Sequence, residues 1–212
     1  MAEGLRERKK RQTRQHISDV ATGLFLERGF DAVTVAEVAE AAEVSVNTVY
    51  NYFPAKEDLF LDRSKGVITR LSRQVRARDV GESAAAAVLR EMRAGVEAVS
   101  PFYGLVDGYD RFARVVEASP SLRSRLWRLQ QDTLVDIVEI LTTETGADPD
   151  DVLPLLVGGQ LAWVQTTLMG YIGHQMMAGR KAVDVSRDAL VLLDEMEEVL
   201  GEKVLNYAVR TA

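Results

Sequence analysis

The stretch from Thr34 to Lys56, TVAEVAEAAEVSVNTVYNYFPAK, constrains the fold more than any other part of the chain. Thr34 followed three residues later by Glu37 forms a capping box, in which the threonine hydroxyl accepts a first-turn amide and the glutamate reaches back to the cap. A helix is therefore predicted from Thr34, with Val35, Val38, Ala39 and Ala42 on one face. The apolar repeat breaks at Glu43-Val44, and Ser45 supplies a second N-cap. The run Val46-Asn47-Thr48-Val49-Tyr50-Asn51-Tyr52 then buries Val49, with Phe53 behind it. Its other side carries amides, hydroxyls and two phenols. Pro54 stops the helix by excluding the residue before it from helical dihedrals. A face meant only for water is usually filled with Lys and Glu. Asn and Thr can bond base edges and Tyr can reach phosphate oxygens, so the pattern points to a helix-turn-helix that reads DNA.

The tail that follows, Tyr52-Phe53-Pro54-Ala55-Lys56-Glu57-Asp58-Leu59, extends the pattern. From Arg14 to Phe60 the segment resembles the DNA-binding domain of the TetR/AcrR family of bacterial transcriptional regulators, whose pattern ends in a tyrosine-rich recognition helix and a YFPxKExL-like tail. The resemblance implies an all-α fold of about nine helices. An N-terminal basic arm and three-helix helix-turn-helix domain would occupy 1–55, and a larger helical effector-binding and dimerisation domain 56–212. It also implies that Thr34, Thr48, Tyr50, Tyr52 and Lys56 lie at phosphates, with Ser45, Val46, Asn47 and Asn51 nearest the base edges of double-stranded DNA. The chain departs from the pattern in two places. It has Glu43 where many relatives carry glycine in the turn, and Asn47 where some carry a basic residue.

Composition narrows the chemistry. The 212 residues contain no cysteine, which removes zinc-thiolate sites, disulfides and cysteine nucleophiles. The two histidines, His16 and His174, are too few and too far apart in sequence to suggest a metal site. No carboxylate pair, nucleophile–base set or phosphate loop stands out, so neither an enzyme nor a cofactor is expected. The net charge of −6 opposes DNA binding, but six basic residues against two acidic ones give the first fourteen residues a net +4. That arm can lie along the phosphate backbone or in a minor groove. The opening residues are charged and lack an apolar core, so a cytoplasmic protein is expected.

Along the chain, Ile17, Val20, Ala21, Leu24 and Phe25 mark a first amphipathic helix that stops at Gly29. A fourth helix is predicted from near Lys56, carrying Leu59, Phe60, Val67, Ile68 and Leu71, with Arg70, Arg73, Arg76 and Arg78 on a solvated face. A linker at Asp79–Ser83 leads to a helix over Ala84–Val99. A second helix runs from Ser100-Pro101 to about Glu117, and a third from Ser119-Pro120 to about Thr145. Phe102, Tyr103, Phe112, Trp127 and Trp163, with Gln165 and Met169, are expected to converge as walls of an apolar effector cavity. The segments RFARVVEASPSLRSRL and TGADPDD resemble actinobacterial family members that sense acyl-thioester-like molecules.

The next helix opens at Asp148-Pro149-Asp150 and has no charged side chain from Val152 to Gly179. Pro154, Gln160, Gln165, Thr166, Thr167, His174 and Gln175 argue against a membrane span and for a helix buried on several sides, with His174 buried or at an interface. Gly159, Trp163, Thr166, Gly170 and Gly173 follow a four-three spacing of mostly small residues and are expected to form a self-association seam. A final helix is predicted over Val185 to about Val209, with Ala189, Leu193, Met196, Leu200, Val204 and Tyr207 as its stripe. The resemblance implies that these last two helices pair with their copies, placing Leu193, Met196 and Leu200 at a homodimer interface. The expected protein is a homodimeric repressor that occludes a palindromic operator until a small, largely apolar effector enters its body, with no membrane partner. The alternative is an architectural DNA-binding protein of the same fold whose body docks a protein.

Overall fold

Every regular element in the computed structural model, which describes residues 4–62, 66 and 69–211, is a helix. The helices are α1 (Leu5–Arg28), α2 (Val35–Ala41), α3 (Val46–Tyr52), α4 (Lys56–Phe60), α5 (Arg70–Arg76) and α6 (Ala84–Glu97). A 3-10 turn at Pro101–Tyr103 precedes α7 (Tyr109–Ala118), α8 (Pro120–Thr145), α9 (Leu153–Met177), α10 (Ala182–Val199) and α11 (Glu202–Leu205). None of these helices is long and apolar enough to cross a membrane.

The chain forms two compact units. The first comprises residues 4–62 together with Arg114–Arg125. Its core is built from Ile17, Ala21 and Phe25 of α1, Phe30 and Val33 of the connection, Val38 of α2, and Val49 and Phe53 of α3, all buried. Phe25 meets Phe30 with ring centroids 4.9 Å apart and meets Phe60 edge-on at 5.7 Å. Each buried aromatic of this kind contributes roughly 1.5–3 kcal/mol through apolar area removed from water. Because α4 commits Leu59 and Phe60 to this cluster, the unit runs past the boundary expected at Lys56. The later segment is tied in by polar bonds. Ser119 Oγ donates to the Asp31 carboxylate at 3.0 Å, and the Arg125 guanidinium donates to the buried Asp58 carboxylate at 3.0 Å.

The second unit holds Gly66 to Ala113 as far as described, and Leu126 onward. Its core takes Leu71 and Val75 from α5, Val88 and Met92 from α6, Ile137 and Leu141 from α8, Leu161, Leu168 and Ile172 from α9, and Ala189, Leu193 and Met196 from α10. Helix α10 packs against both α9 and α6. Gly158 lets α8 and α9 approach, since a Cβ there would sit 2.9 Å from Val138 Cγ2. Arg93 of α6 joins Asp194 of α10 at 2.8 Å and also binds Glu197. The C-terminal tail returns to the 79–83 turn, where Gly81 N–H donates to the Arg210 carbonyl and Arg210 N–H to the Glu82 carbonyl, both at 2.9 Å.

Several sequence expectations need correcting. The region from Ser100 to Glu117 is not one helix. Gly104 and Gly108, at φ 83° and 81°, break it after the 3-10 turn, and α7 starts only at Tyr109. The final helix stops at Val199, because Leu200 turns extended and Gly201 caps the separate α11. Arg78 is not solvated. It is buried, pairs with Glu144 at 2.9 Å and donates to the Ala208 carbonyl at 3.0 Å and to the Val75 carbonyl. Its planar fork can satisfy several acceptors at once, which is what permits burial. Val67 and Ile68 lie outside the described residues.

Candidate functional site

The second helix of the helix-turn-helix is set by its cap. Ser45 Oγ accepts the Thr48 N–H at 3.0 Å and lies 2.8 Å from the Thr48 hydroxyl, while Val49 and Phe53 anchor α3 in the core. Opposite them, Val46, Asn47, Tyr50 and Asn51 are exposed along with Ser45, and Thr48 and Tyr52 are half-buried. Exposed Thr34 caps α2 with both arms of the box. Glu37 N–H donates to Thr34 Oγ1 at 3.2 Å, and Thr34 N–H donates to Glu37 Oε2 at 2.7 Å. The Thr34 amide bond, assisted by Arg28 at 2.6 Å, holds the Glu37 carboxyl at about 2. Between the helices Glu43 adopts φ 54°, the left-handed conformation that glycine favours, and Val44 N–H closes the turn on the Ala39 carbonyl at 2.9 Å. The tight turn is thus made without glycine, at the expense of backbone strain.

Two cations brace this surface from behind. The Arg14 guanidinium lies 4.6 Å from the Phe53 ring centroid, donates to the Tyr52 carbonyl at 3.0 Å and pairs with Asp62. It therefore fixes the C-terminal end of α3. Lys56, assigned to phosphate by the resemblance, directs its ammonium to the Phe30 carbonyl at 2.6 Å and over the Phe30 ring at 4.4 Å. The N-terminal arm is helical from Leu5. Arg6, Lys9, Lys10 and Thr13 share a cleft of about 370 Å³ with Glu7 and Tyr52, which brings positive charge to the end of α3. Those four residues stand at i, i+3, i+4 and i+7, a helical signal written in polar residues, where an apolar stripe does not look for it.

Of the residues expected to line an effector cavity, Phe102 and Tyr103 meet edge to face with centroids 5.6 Å apart, whereas the two tryptophans stand on the surface. Phe102 and Tyr103 pack beneath Arg70, while Phe112 lies beside Tyr109 with centroids 6.0 Å apart. Trp127 and Trp163 are surface residues, 61% and 44% exposed. Gln165 is buried with Oε1 lacking a partner, and Met169 is half-buried against the core. The intended dimer set divides as well. Leu193, Met196 and Leu200 face the chain's own core and cannot reach a partner without unfolding it. Gly173 is buried under the Tyr109 hydroxyl, 2.8 Å from where a Cβ would stand. Gly159 and Gly170 face open space, and Trp163, Thr166 and His174 are exposed. A helical stripe says that a face is covered, not whether the cover comes from the same chain.

Residues 17–62 match the family model described as bacterial regulatory proteins, tetR family. The HTH-type transcriptional regulator TcmR of Streptomyces glaucescens is 30% identical over 153 residues, covering 70% of this chain and 67% of that protein. The regulator AcrR of Shigella flexneri is 37% identical over 84 residues, 38% of each chain. Among solved structures, NalD, the secondary repressor of the MexAB-OprM multidrug efflux pump in Pseudomonas aeruginosa, superimposes with a TM-score of 0.59 at 20% identity, covering 91% of this chain and 98% of that one. The SmeT–triclosan complex superimposes with a TM-score of 0.57 at 16% identity, covering 91% and 94%. These two establish the shared helical fold. With the family model on the helix-turn-helix and a relative alike along most of the chain, the protein belongs to the TetR family of DNA-binding transcriptional regulators and is not an enzyme.

Proposed function

We propose that the protein is a homodimeric repressor that binds a palindromic operator through α3 and leaves it when a small molecule binds the second unit. The observation that carries this reading is the exposed polar face of α3, where Asn47, Asn51 and Tyr50 stand clear of the fold beside Val46. Asn47 and Asn51 suit bidentate pairing with adenine, and Val46 suits a thymine methyl. Tyr50, Tyr52, Thr48, Ser45 and Thr34, with the basic turns of α1, supply phosphate contacts that position without specifying. Lys56 contributes by holding α4 to the Phe30 carbonyl. Self-association draws support from one face of α9, where Leu156, Gly159, Trp163, Thr166 and Gly170 run at four-three spacing without cover. Repression and release draw support from NalD, named as a repressor, and from SmeT, captured with triclosan.

The test is selection of binding sites from random duplexes with the full chain, followed by transcription from a promoter carrying the selected site. The expected result is one inverted repeat with half-sites about one helical turn, roughly 34–36 Å, apart, together with reduced transcription. Binding without sequence preference would reject the reading. A selected repeat from which no small molecule ever releases the protein would favour the architectural alternative.

A further inference from the structure

We infer that Arg70 and Gln74 of α5, with Tyr103 of the 3-10 turn, form a site for a small organic anion, a carboxylate whose body also carries a hydrogen-bond donor. This rests on the reading of the protein as an effector-responsive regulator, and it names the effector's polar anchor. Of the five buried side-chain polar atoms left without a partner among the described residues, three are here: Arg70 Nε, Gln74 Oε1 and Tyr103 Oη. A buried polar atom with no partner costs about 1–3 kcal/mol, and native chains carry few of them. Arg70 lies against Tyr103 and Gln74 follows one turn along α5, so three unmet polar groups fall in one neighbourhood, and a ligand that meets them displaces the cover over atoms fully buried in the free protein.

The three are held together. The Arg70 guanidinium carbon lies 3.9 Å from the Phe102 ring centroid and 4.6 Å from that of Tyr103, so the two rings, set edge to face, flank it. Gln74 follows one helical turn later on the same face of α5 and is 7% exposed. Tyr103 is 2% exposed and packs against Gly95, where a Cβ would stand 2.3 Å from its ring. Burial raises the Tyr103 phenol above its ordinary value, so it stays protonated and able to donate. The Arg70 guanidinium opposes that rise through its charge and its approach to the hydroxyl, while the Glu91 carboxylate adds to it.

Arg70 and Gln74 line an open cleft of about 520 Å³, a size that suits a small molecule. The other cations there are already engaged. Arg90 pairs with Glu82 at 2.9 Å and with Glu91 at 2.6 Å, and Arg73 Nε donates to the Thr69 carbonyl at 3.2 Å. Among the described residues no carboxylate pairs with Arg70. A ring-flanked guanidinium with an unpaired Nε–H is shaped for a carboxylate, the Tyr103 hydroxyl, behind Arg70 and outside the cleft wall, supplies a second donor once uncovered, and Gln74 Oε1 requires a donor in return. Together they select a hydroxy- or amino-carboxylate over a simple apolar compound.

The probes are salicylate, benzoate, which lacks the hydroxyl, and salicylamide, which lacks the charge. Each is titrated calorimetrically into the full chain, with operator binding measured on the same samples without any probe. Salicylate is expected to bind most tightly, benzoate less, and salicylamide at least about tenfold more weakly than salicylate, a loss of about 1.4 kcal/mol. Arg70→Met, which keeps an apolar cover on Phe102, should lower salicylate affinity at least about tenfold, while Arg70→Lys should restore part of it and Arg187→Met, an exposed arginine outside the cleft, should change nothing. Gln74→Leu should erase the difference between salicylate and benzoate. Gln74→Glu should pair internally with Arg70, raising the melting temperature while blocking the anion. No salicylate binding by the wild type, equal binding of salicylamide, or unchanged binding by a folded Arg70→Met protein would each overturn the site. Any of these with operator binding intact rejects only the site, whereas absent operator binding rejects the regulator itself.

Discussion

Glu43 holds φ 54° in the turn between α2 and α3, where a side chain is a liability. Glu43→Gly should therefore raise stability by up to about 1 kcal/mol by relieving left-handed strain, with operator affinity unchanged; a lowered melting temperature would show that the turn is unstrained. Glu37 makes a second prediction at this scale. Its folded value of about 2 lies below the ordinary 4.5, so ionisation is favoured in the folded chain. That contribution is full above 4.5 and is lost as pH falls through about 2, so the stability advantage of wild type over Glu37→Gln should hold at neutral pH and close across this window. An advantage that does not change with pH would remove the cap from the account. Lys56 and Tyr50 should part company. Lys56→Ala loses a charged hydrogen bond worth about 1.5–3 kcal/mol and should lower the melting temperature. Tyr50→Phe should leave melting alone and weaken binding to operator and unrelated DNA alike. Reversed behaviour would return Lys56 to the DNA surface.

Among the elements, α2 and α3 were legible almost to the residue because each starts on a side-chain cap, a signal contained within three positions. Helix α8 was legible from the proline at its first position, opening at Ser119-Pro120. The breaks at Gly104, Gly108 and Leu200-Gly201 were missed because apolar spacing continues across them, and periodicity registers which residues are buried before it registers where the chain bends. The candidate site was legible on α3 and unreadable in the second unit. Aromatic type alone does not place a side chain, since Trp127 and Trp163 stand on the surface, while the buried orphan atoms of Arg70 and Gln74 become visible only once neighbours are known. The same distinction separates two substitutions. Leu193→Glu places a charge in the core and should unfold the chain, whereas Trp163→Glu lies on an exposed face of α9 and should leave it folded. Circular dichroism on both checks this, and a folded Leu193→Glu protein would contradict the placement of α10.

For the whole molecule, the two units divide the work by charge and by surface. The first carries the basic turns of α1 and the polar face of α3, and the second carries the uncovered stripe of α9 and the Arg70 cluster. If a second copy covers that stripe, Trp163→Glu and Gly170→Leu should sediment as monomers and bind operator far more weakly, since one recognition helix alone makes only half the contacts. Dimers that persist in both variants would place the interface elsewhere. The account depends most on α3 reading base edges, and Asn51 offers the clearest test because it is exposed and absent from the packing of the first unit. The measurement is the affinity of wild type and Asn51→Ala for the selected operator and for a scrambled duplex at one salt concentration. The account predicts a loss of about 1–3 kcal/mol on the operator and almost none on the scrambled duplex; equal losses on both, or none on either from a folded protein, would contradict it.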